Sequence, residues 1–201
     1  MPRVVYPRAL MSPPELTTHD HSDDRFRAVD WSLWTPRERA TLLFVIRDGQ
    51  ILLIEKQRGL GAGKINGPGG RIETGENPEQ CAIREVQEEV CVNPHGVEYS
   101  GELSFEFVDG FSMHVTVFRA AGCSGAPRPT DEAIPLWVPV DEIPLDRMWA
   151  DDRTWIHLML DRRKFQGRYL FDGDVMLGYE VQTLNVEGRT SEREPSADSR
   201  N

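Results

Sequence analysis

Glu85, Glu88 and Glu89 are acidic residues spaced three and four apart, with Arg84 beside them. On a helix that spacing puts all three carboxylates on one face. Like charges so placed repel, and each pair costs roughly a few tenths of a kcal/mol of helix stability. A hard divalent cation turns the repulsion into coordination, because Mg²⁺ takes carboxylate oxygens together with substrate phosphates. Arg84 can clamp a carboxylate bidentately and fix its direction. Upstream, Gly67-Pro68-Gly69-Gly70 lets backbone approach an ion or a phosphate closely, and a free carbonyl there adds another candidate ligand. The plainer alternative is an acidic, solvated helix face.

These residues need a scaffold. Asn77–Val90 has helical spacing, with Cys81, Ala82, Val86 and Val90 as its apolar positions. Thr41–Arg47 and Ile51–Lys56 are β-branched apolar runs around Asp48-Gly49-Gln50, which predicts a hairpin. The glycine-dense stretch Gly59–Gly75 follows. Val97–Val108 and Met113–Ala121 predict paired strands around Asp109-Gly110, and Ile134–Val138 a short strand. Asp152–Phe165 reads as a second amphipathic helix. Tyr169–Phe171 and Val175–Leu184 read as a terminal hairpin around Asp172-Gly173-Asp174. Strands and helices are mixed, so the class is α+β.

The catalytic domain is expected over 41–187, behind a partly disordered extension over 1–40 and ahead of a disordered tail over 188–201. Within the extension, Thr35-Pro36-Arg37-Glu38 fits a capping box with Pro at the first helical position, predicting a short helical turn. His19-Asp20-His21 offers metal ligands but reads better as part of a mobile polar segment. Trp31 and Trp34 are candidates to reshape a pocket or a dimer contact.

The chain has 201 residues, 39% hydrophobic and 28% charged, which suits a globular domain with a real core. No apolar run approaches a membrane span, and the N-terminus lacks a signal-peptide pattern, so a cytoplasmic protein with no membrane partner is expected. Three widely spaced cysteines, Cys81, Cys91 and Cys123, argue against a disulfide framework or a zinc site. A formal net charge of −10 disfavours long nucleic acid as a partner. Phosphates must then be met by local cations.

The stretch Gly70–Val92 resembles the Nudix box. That box reads Gly, five residues, Glu, seven residues, Arg-Glu, an aliphatic, one residue, Glu-Glu, one residue, Gly and an aliphatic. Here it reads Gly70, Glu76, Arg84-Glu85-Val86, Glu88-Glu89 and Cys91-Val92. At typical residue usage, such a set of matches arises by chance in on the order of 10⁻⁵ of chains this long. The resemblance implies a mixed β-sheet in an α/β/α sandwich with a loop–helix–loop catalytic motif. It implies one to three Mg²⁺ ions, with Mn²⁺ as a substitute, held by Glu85, Glu88, Glu89 and the Gly69 carbonyl. It also implies attack on a diphosphate phosphorus by metal-activated water, with one of the glutamates as candidate general base. Cys91 departs from the pattern. A left-handed residue is often needed just after a helix, so Cys91 is expected to strain that turn by about 1 kcal/mol or to make the helix end differently.

Outside the box, the chain over 41–185 is similar to the MutT-homologue branch, the oxidised-purine nucleoside triphosphatases. The similarity rests on Lys56, Gly59–Gly70, Phe105–Val108, Asp131-Glu132, Met148–Asp152 and Lys164–Gly167. It implies base recognition by Asn66, Trp149, Asp151 and Asp152, further ligand-side positions at Thr41, Lys56, Phe105 and Phe107, and an extra metal ligand at Glu132. The chemistry is sensible. Trp149 can stack on a purine, and Asn66 both donates and accepts. A carboxylate accepts from a guanine-like edge and, when protonated, donates to other oxidised bases. Each residue also has a plain structural reading: a helix N-cap for Asp151 or Asp152, core for Trp149, Phe105 and Phe107, a solvated lysine for Lys56.

The function expected is conversion of oxidised purine nucleoside triphosphates to the monophosphate and pyrophosphate, by a monomer or homodimer. The alternatives are the same chemistry on RNA 5′ ends, a methylated purine nucleotide or another nucleoside diphosphate derivative, and a Nudix-fold binding module without catalysis.

Overall fold

The computed structural model describes residues 23–184. In chain order the elements are α1 (Asp24–Ala28), β1 (Glu38–Arg47), β2 (Gln50–Lys56), β3 (Ile65–Asn66), α2 (Pro78–Val90), β4 (Asn93–Phe107), β5 (Ser112–Ser124), β6 (Ala133–Pro139), α3 (Asp152–Leu160), β7 (Lys164–Asp172) and β8 (Val175–Leu184). The strands form one mixed sheet in the order β3-β2-β1-β5-β4-β7-β8, with β6 paired to β2. β1 runs parallel to β5 and β4 parallel to β7, while the other pairings are antiparallel.

Alternation along the strands divides the core in two. On β1 and β2, Leu43, Val45, Leu52 and Ile54 face α2, where Ala82, Val86 and Val90 meet them. Phe44, Ile51 and Leu53 face the opposite layer, packed with Trp155, Ile156 and Met159 of α3. A strand buried on both faces reads as a continuous apolar run, which is why Leu42–Ile46 and Ile51–Ile54 do. The α+β class and the sandwich architecture expected from the sequence are both present.

Three expectations need correction. Thr35–Glu38 forms no helical turn; Glu38 already begins β1, and the short helix lies earlier, at α1, capped by Asp23. The helix expected over Asp152–Phe165 stops at Leu160. Arg162 takes a left-handed φ of 59°, and the Arg162 and Arg163 amides donate back to Met159 and Leu158 carbonyls at 3.0 and 2.9 Å. That closure satisfies the free carbonyls of the last turn without the usual glycine. Lys164 and Phe165 therefore open β7. Trp31 and Trp34 do not reach the cavity described below. Phe26, Trp31 and Trp34 form a chain of tilted ring contacts, Arg168 lies over Trp31, and Trp34 Nε1 donates to Glu106 at 2.8 Å. Glu106 and Arg168 alternate with Phe105, Phe107 and Tyr169, so this clasp covers the sheet face opposite the α3 layer. His19-Asp20-His21 and the segment 188–201 lie outside the described residues.

Candidate active site

The α2 helix is started firmly. Asn77 and Gln80 make a reciprocal capping box and Pro78 holds the first turn. One side of α2 is apolar and seated on the sheet, which fixes the rotation of the other. Arg84 lies at the centre of that other side. It grips Glu76 through two bonds, Nε to Oε1 at 2.6 Å and Nη2 to Oε2 at 3.0 Å. Its Nη1 reaches Glu85 and Glu88, each at 2.9 Å. The bond from Arg84 holds the Glu76 carboxyl down at about 2. Glu76 thus stays charged and anchors Arg84, and Arg84 orients the two helix glutamates.

Glu89 is different, because it is 1% exposed. Its Oε1 meets Lys56 Nζ at 3.1 Å, and its Oε2 accepts from the Gly69 amide at 2.8 Å. Burial raises the Glu89 carboxyl above its ordinary range, against the pull of Lys56 and the Gly69 amide. Burial likewise raises Glu85, against Arg84. Two glycines make this proximity feasible. A Cβ on Gly69 would overlap the Thr41 carbonyl oxygen, and one on Gly70 would overlap the Glu85 carboxylate. The Pro68 and Gly70 carbonyls bind the Leu43 and Thr41 amides of β1, both at 2.9 Å, which pins the loop to the sheet.

Next to this acidic face, a cavity of about 310 Å³ opens on the α3 side of the sheet. Its lining includes Thr41, Lys56, Asn66, Phe105, Phe107, Trp149, Asp151 and Asp152, the residues singled out as ligand-side, together with Gly69 and Gly70 of the acidic site. Phe105 and Phe107 serve as wall and core at once: Phe105 stacks on Tyr169 at 5.2 Å and Phe107 on Phe171 at 5.6 Å. Thr41 is buried, with its hydroxyl on Cys81 Sγ at 3.4 Å. Asn66 Oδ1 accepts from the Gly67 amide at 2.8 Å, which leaves its NH₂ group as the donor it offers to a ligand.

Asp151 and Asp152 are 3% and 2% exposed. Neither acts as a conventional cap of α3. Asp151 Oδ2 accepts from Trp155 Nε1 and Asp152 Oδ2 from the Trp149 amide, each at 3.0 Å. Burial raises the Asp151 carboxyl to about 6, and burial plus the neighbouring Asp151 charge raises Asp152 well above the carboxylate range. Two adjacent buried carboxyls resist double ionisation, so the pair retains a proton in conditions where surface aspartates have none.

Some residues fall elsewhere. Glu132 is not in the cavity lining; it pairs with Arg58 at a half-exposed position. Among the described residues, no three His, Cys, Asp or Glu side chains are already gathered around one point. The carboxylates are held by Arg84 and Lys56 instead.

Other wall residues escaped the sequence reading: Leu103, Phe111, Met113, Val115 and Phe171. For Met113 and Val115 a signal existed, since they pair with Phe105 and Leu103 across β4–β5 and share their face. Phe171 pairs with Phe107 in parallel register across β7, and nothing local in the sequence announces that.

Comparison with known proteins places the chain in a family. Residues 36–159 match the NUDIX domain model. The chain is 42% identical over 146 residues to the oxidized purine nucleoside triphosphate hydrolase of Danio rerio, covering 72% of this chain and 94% of that one. The protein of the same name from Mus musculus is 37% identical over 147 residues, with the same coverage. The crystal structure of the mutator MutT protein from Bacillus halodurans superposes with a TM-score of 0.64 at 27% identity, covering 72% of this chain and 97% of that one. With the glutamate helix, its glycine loop and most of the sheet inside the matched region, the chain belongs to the NUDIX family.

Proposed function

We propose that this protein hydrolyses oxidised purine nucleoside triphosphates to the monophosphate and pyrophosphate, using Mg²⁺. One observation carries the reading: a cavity with a stacking ring, an amide and a buried Asp pair opens directly beside the acidic helix face. Relatives named for this activity match along most of their length.

Nudix hydrolases work with a divalent metal. The donor set fits a hard cation, since Glu85, Glu88 and Glu89 offer carboxylate oxygens beside the Gly69 backbone. Glu88, 60% exposed on its side chain, reorients at little cost. Glu85, Glu88, Glu89 and the Gly69 carbonyl would hold the ion, with Glu132 as a further ligand after release from Arg58. An ion held there would supply neutralisation of phosphate charge and activation of water for attack on phosphorus. We assign Lys56, which contacts Glu89 and lines the cavity, to the phosphates. Arg84 keeps the glutamates in register through Glu76.

The base is read in the cavity. Trp149 supplies a stacking face, the Asn66 NH₂ group donates to a purine carbonyl, and the Asp pair both accepts and donates because it holds one proton. That dual capacity suits several oxidised purines. We place the activity in the cytoplasm, where the nucleotide pool is; among the described residues no helix is long and apolar enough to cross a membrane.

The test is pyrophosphate release from 8-oxo-dGTP, 2-oxo-dATP and dGTP, with and without Mg²⁺, compared by kcat/KM. The expected result is Mg²⁺-dependent release favouring the oxidised bases, and a loss of at least 100-fold in kcat for Glu89→Gln with an unchanged circular dichroism spectrum. Equal, weak rates on all three would reject the oxidised-purine assignment, and normal turnover by Glu89→Gln would reject its role.

A further inference from the structure

Trp149 is constrained from several directions, by Lys64 and Gly61, which carry no role so far, and by the wall residue Phe171. Lys64 Nζ lies over its ring, 4.9 Å from the centroid. Phe171 packs against it edge-on, at 5.8 Å and 88°. Gly61 lies so close that a Cβ there would come 3.0 Å from Trp149 Nε1. Lys64 is itself held, by an ion pair of 2.9 Å to Asp174 in the turn between β7 and β8. The Lys64 amide donates to the Gly61 carbonyl at 2.9 Å, and the Lys56 amide to the Lys64 carbonyl at 3.0 Å, so its backbone is fixed as well.

We propose that the Lys64–Asp174 pair is a positioning device for base recognition. It covers one face of Trp149 and presents the other face to the purine. The inference rests on the cavity being the base site, as argued above. A tryptophan ring open on both sides stacks a base in more than one pose. With a cation seated on one face, the base has one face left. The ammonium is drawn to the ring by its quadrupole, an attraction that needs the charge. Asp174 keeps that charge over the ring rather than in solvent. The pair also ties the glycine loop, which carries Asn66, to the terminal hairpin, which carries Phe171, so two walls of the cavity keep a common spacing.

The chemistry separates this role from direct phosphate binding. A phosphate-binding lysine aids every triphosphate alike. A lysine that sets Trp149 aids ligands in proportion to how well their base stacks.

The experiment compares wild type, Lys64→Met, Lys64→Arg, Asp174→Asn and the Lys64→Met/Asp174→Asn double variant. Steady-state kinetics uses the purine triphosphate the wild type hydrolyses best, with dCTP alongside. Calorimetric binding of the matching purine nucleoside monophosphate is measured in parallel. Lys64→Met is expected to raise KM for the purine about 3- to 5-fold with kcat within twofold, to weaken monophosphate binding by a similar factor and to leave KM for dCTP nearly unchanged. Lys64→Arg should restore most of the loss. Asp174→Asn should show a smaller effect that vanishes in the Lys64→Met background, the signature of a coupled pair. Equal losses on the purine and on dCTP would assign Lys64 to the phosphates and overturn the proposal. Additive losses in the double variant, or monophosphate binding unaffected by Lys64→Met, would overturn it too. Absence of wild-type turnover would reject the proposed activity, and the monophosphate titration would still decide the role of Lys64.

Discussion

At the scale of single residues, charge placed out of water decides most of what is interesting. Asp151 and Asp152 are adjacent, buried and raised by that burial, Asp151 to about 6. Folded-state values above the unfolded ones mean that stability from this pair is fully present below about pH 4 and is lost as pH rises through 6 and beyond. Asp152→Asn removes one of the two buried ionisable carboxyls while keeping an acceptor for the Trp149 amide. It should therefore stabilise the fold at pH 8 and change little at pH 4. Urea unfolding at both pH values checks this; equal stability at pH 8 would mean that the pair is not a stored cost. Under the proposed function, activity should move the other way, because there the proton-sharing pair addresses the base. The glutamates of this site were readable from spacing, since helical geometry is local. Phe171 and Phe111 were not, because their place in the wall depends on which strands become neighbours.

At the scale of elements, the ends of helices were harder to read than their middles. The start of α2 carries Asn, Pro and Gln at the right offsets and is legible. Its end carries Cys91 at φ 61° and ψ 32°, a left-handed conformation that a side chain tolerates poorly. The expected strain is thus present in the backbone while the turn keeps its usual geometry. Cys91→Gly should stabilise the protein by about 1 kcal/mol, seen as a higher urea midpoint at unchanged slope. A lower midpoint would show that exposed Cys91 makes contacts worth more than the strain. The end of α3 uses Arg162 in the same way, and with no glycine to mark it the apolar period ran on into Phe165. The segment before β1 misled for a related reason. Pro36 is compatible with a helix start, but residues 23–37 are organised by ring contacts among Phe26, Trp31 and Trp34, tied to β4 by the Trp34–Glu106 bond and to β7 by Arg168 over Trp31, which is tertiary.

At the scale of the whole molecule, the acidic face couples to global stability. Arg84 takes Glu85 and Glu88 on one nitrogen, while Lys56 holds Glu89. An ion that binds the folded face adds stability by mass action, about 2.7 kcal/mol at a hundred times its Kd. Thermal unfolding should shift upward with Mg²⁺ in wild type, and far less in Glu89→Gln. A shift of the same size in both would place the ion elsewhere.

The sheet also imposes an order of events. β1 pairs in parallel with β5, Glu38 beside Met113, and β4 with β7, Gly101 beside Phe165. Contacts between such distant segments close slowly, because a long loop must be ordered before they form. On the ribosome the chain emerges N-terminus first. The glutamate helix is therefore made well before Asp151, Asp152 and β7 exist. A nascent chain halted short of β7 carries the acidic helix face with no cavity beside it and with the apolar edge of β4 unpaired. Nonsense or frameshift lesions late in the gene should consequently yield sticky, chaperone-bound fragments rather than a smaller enzyme of relaxed selectivity.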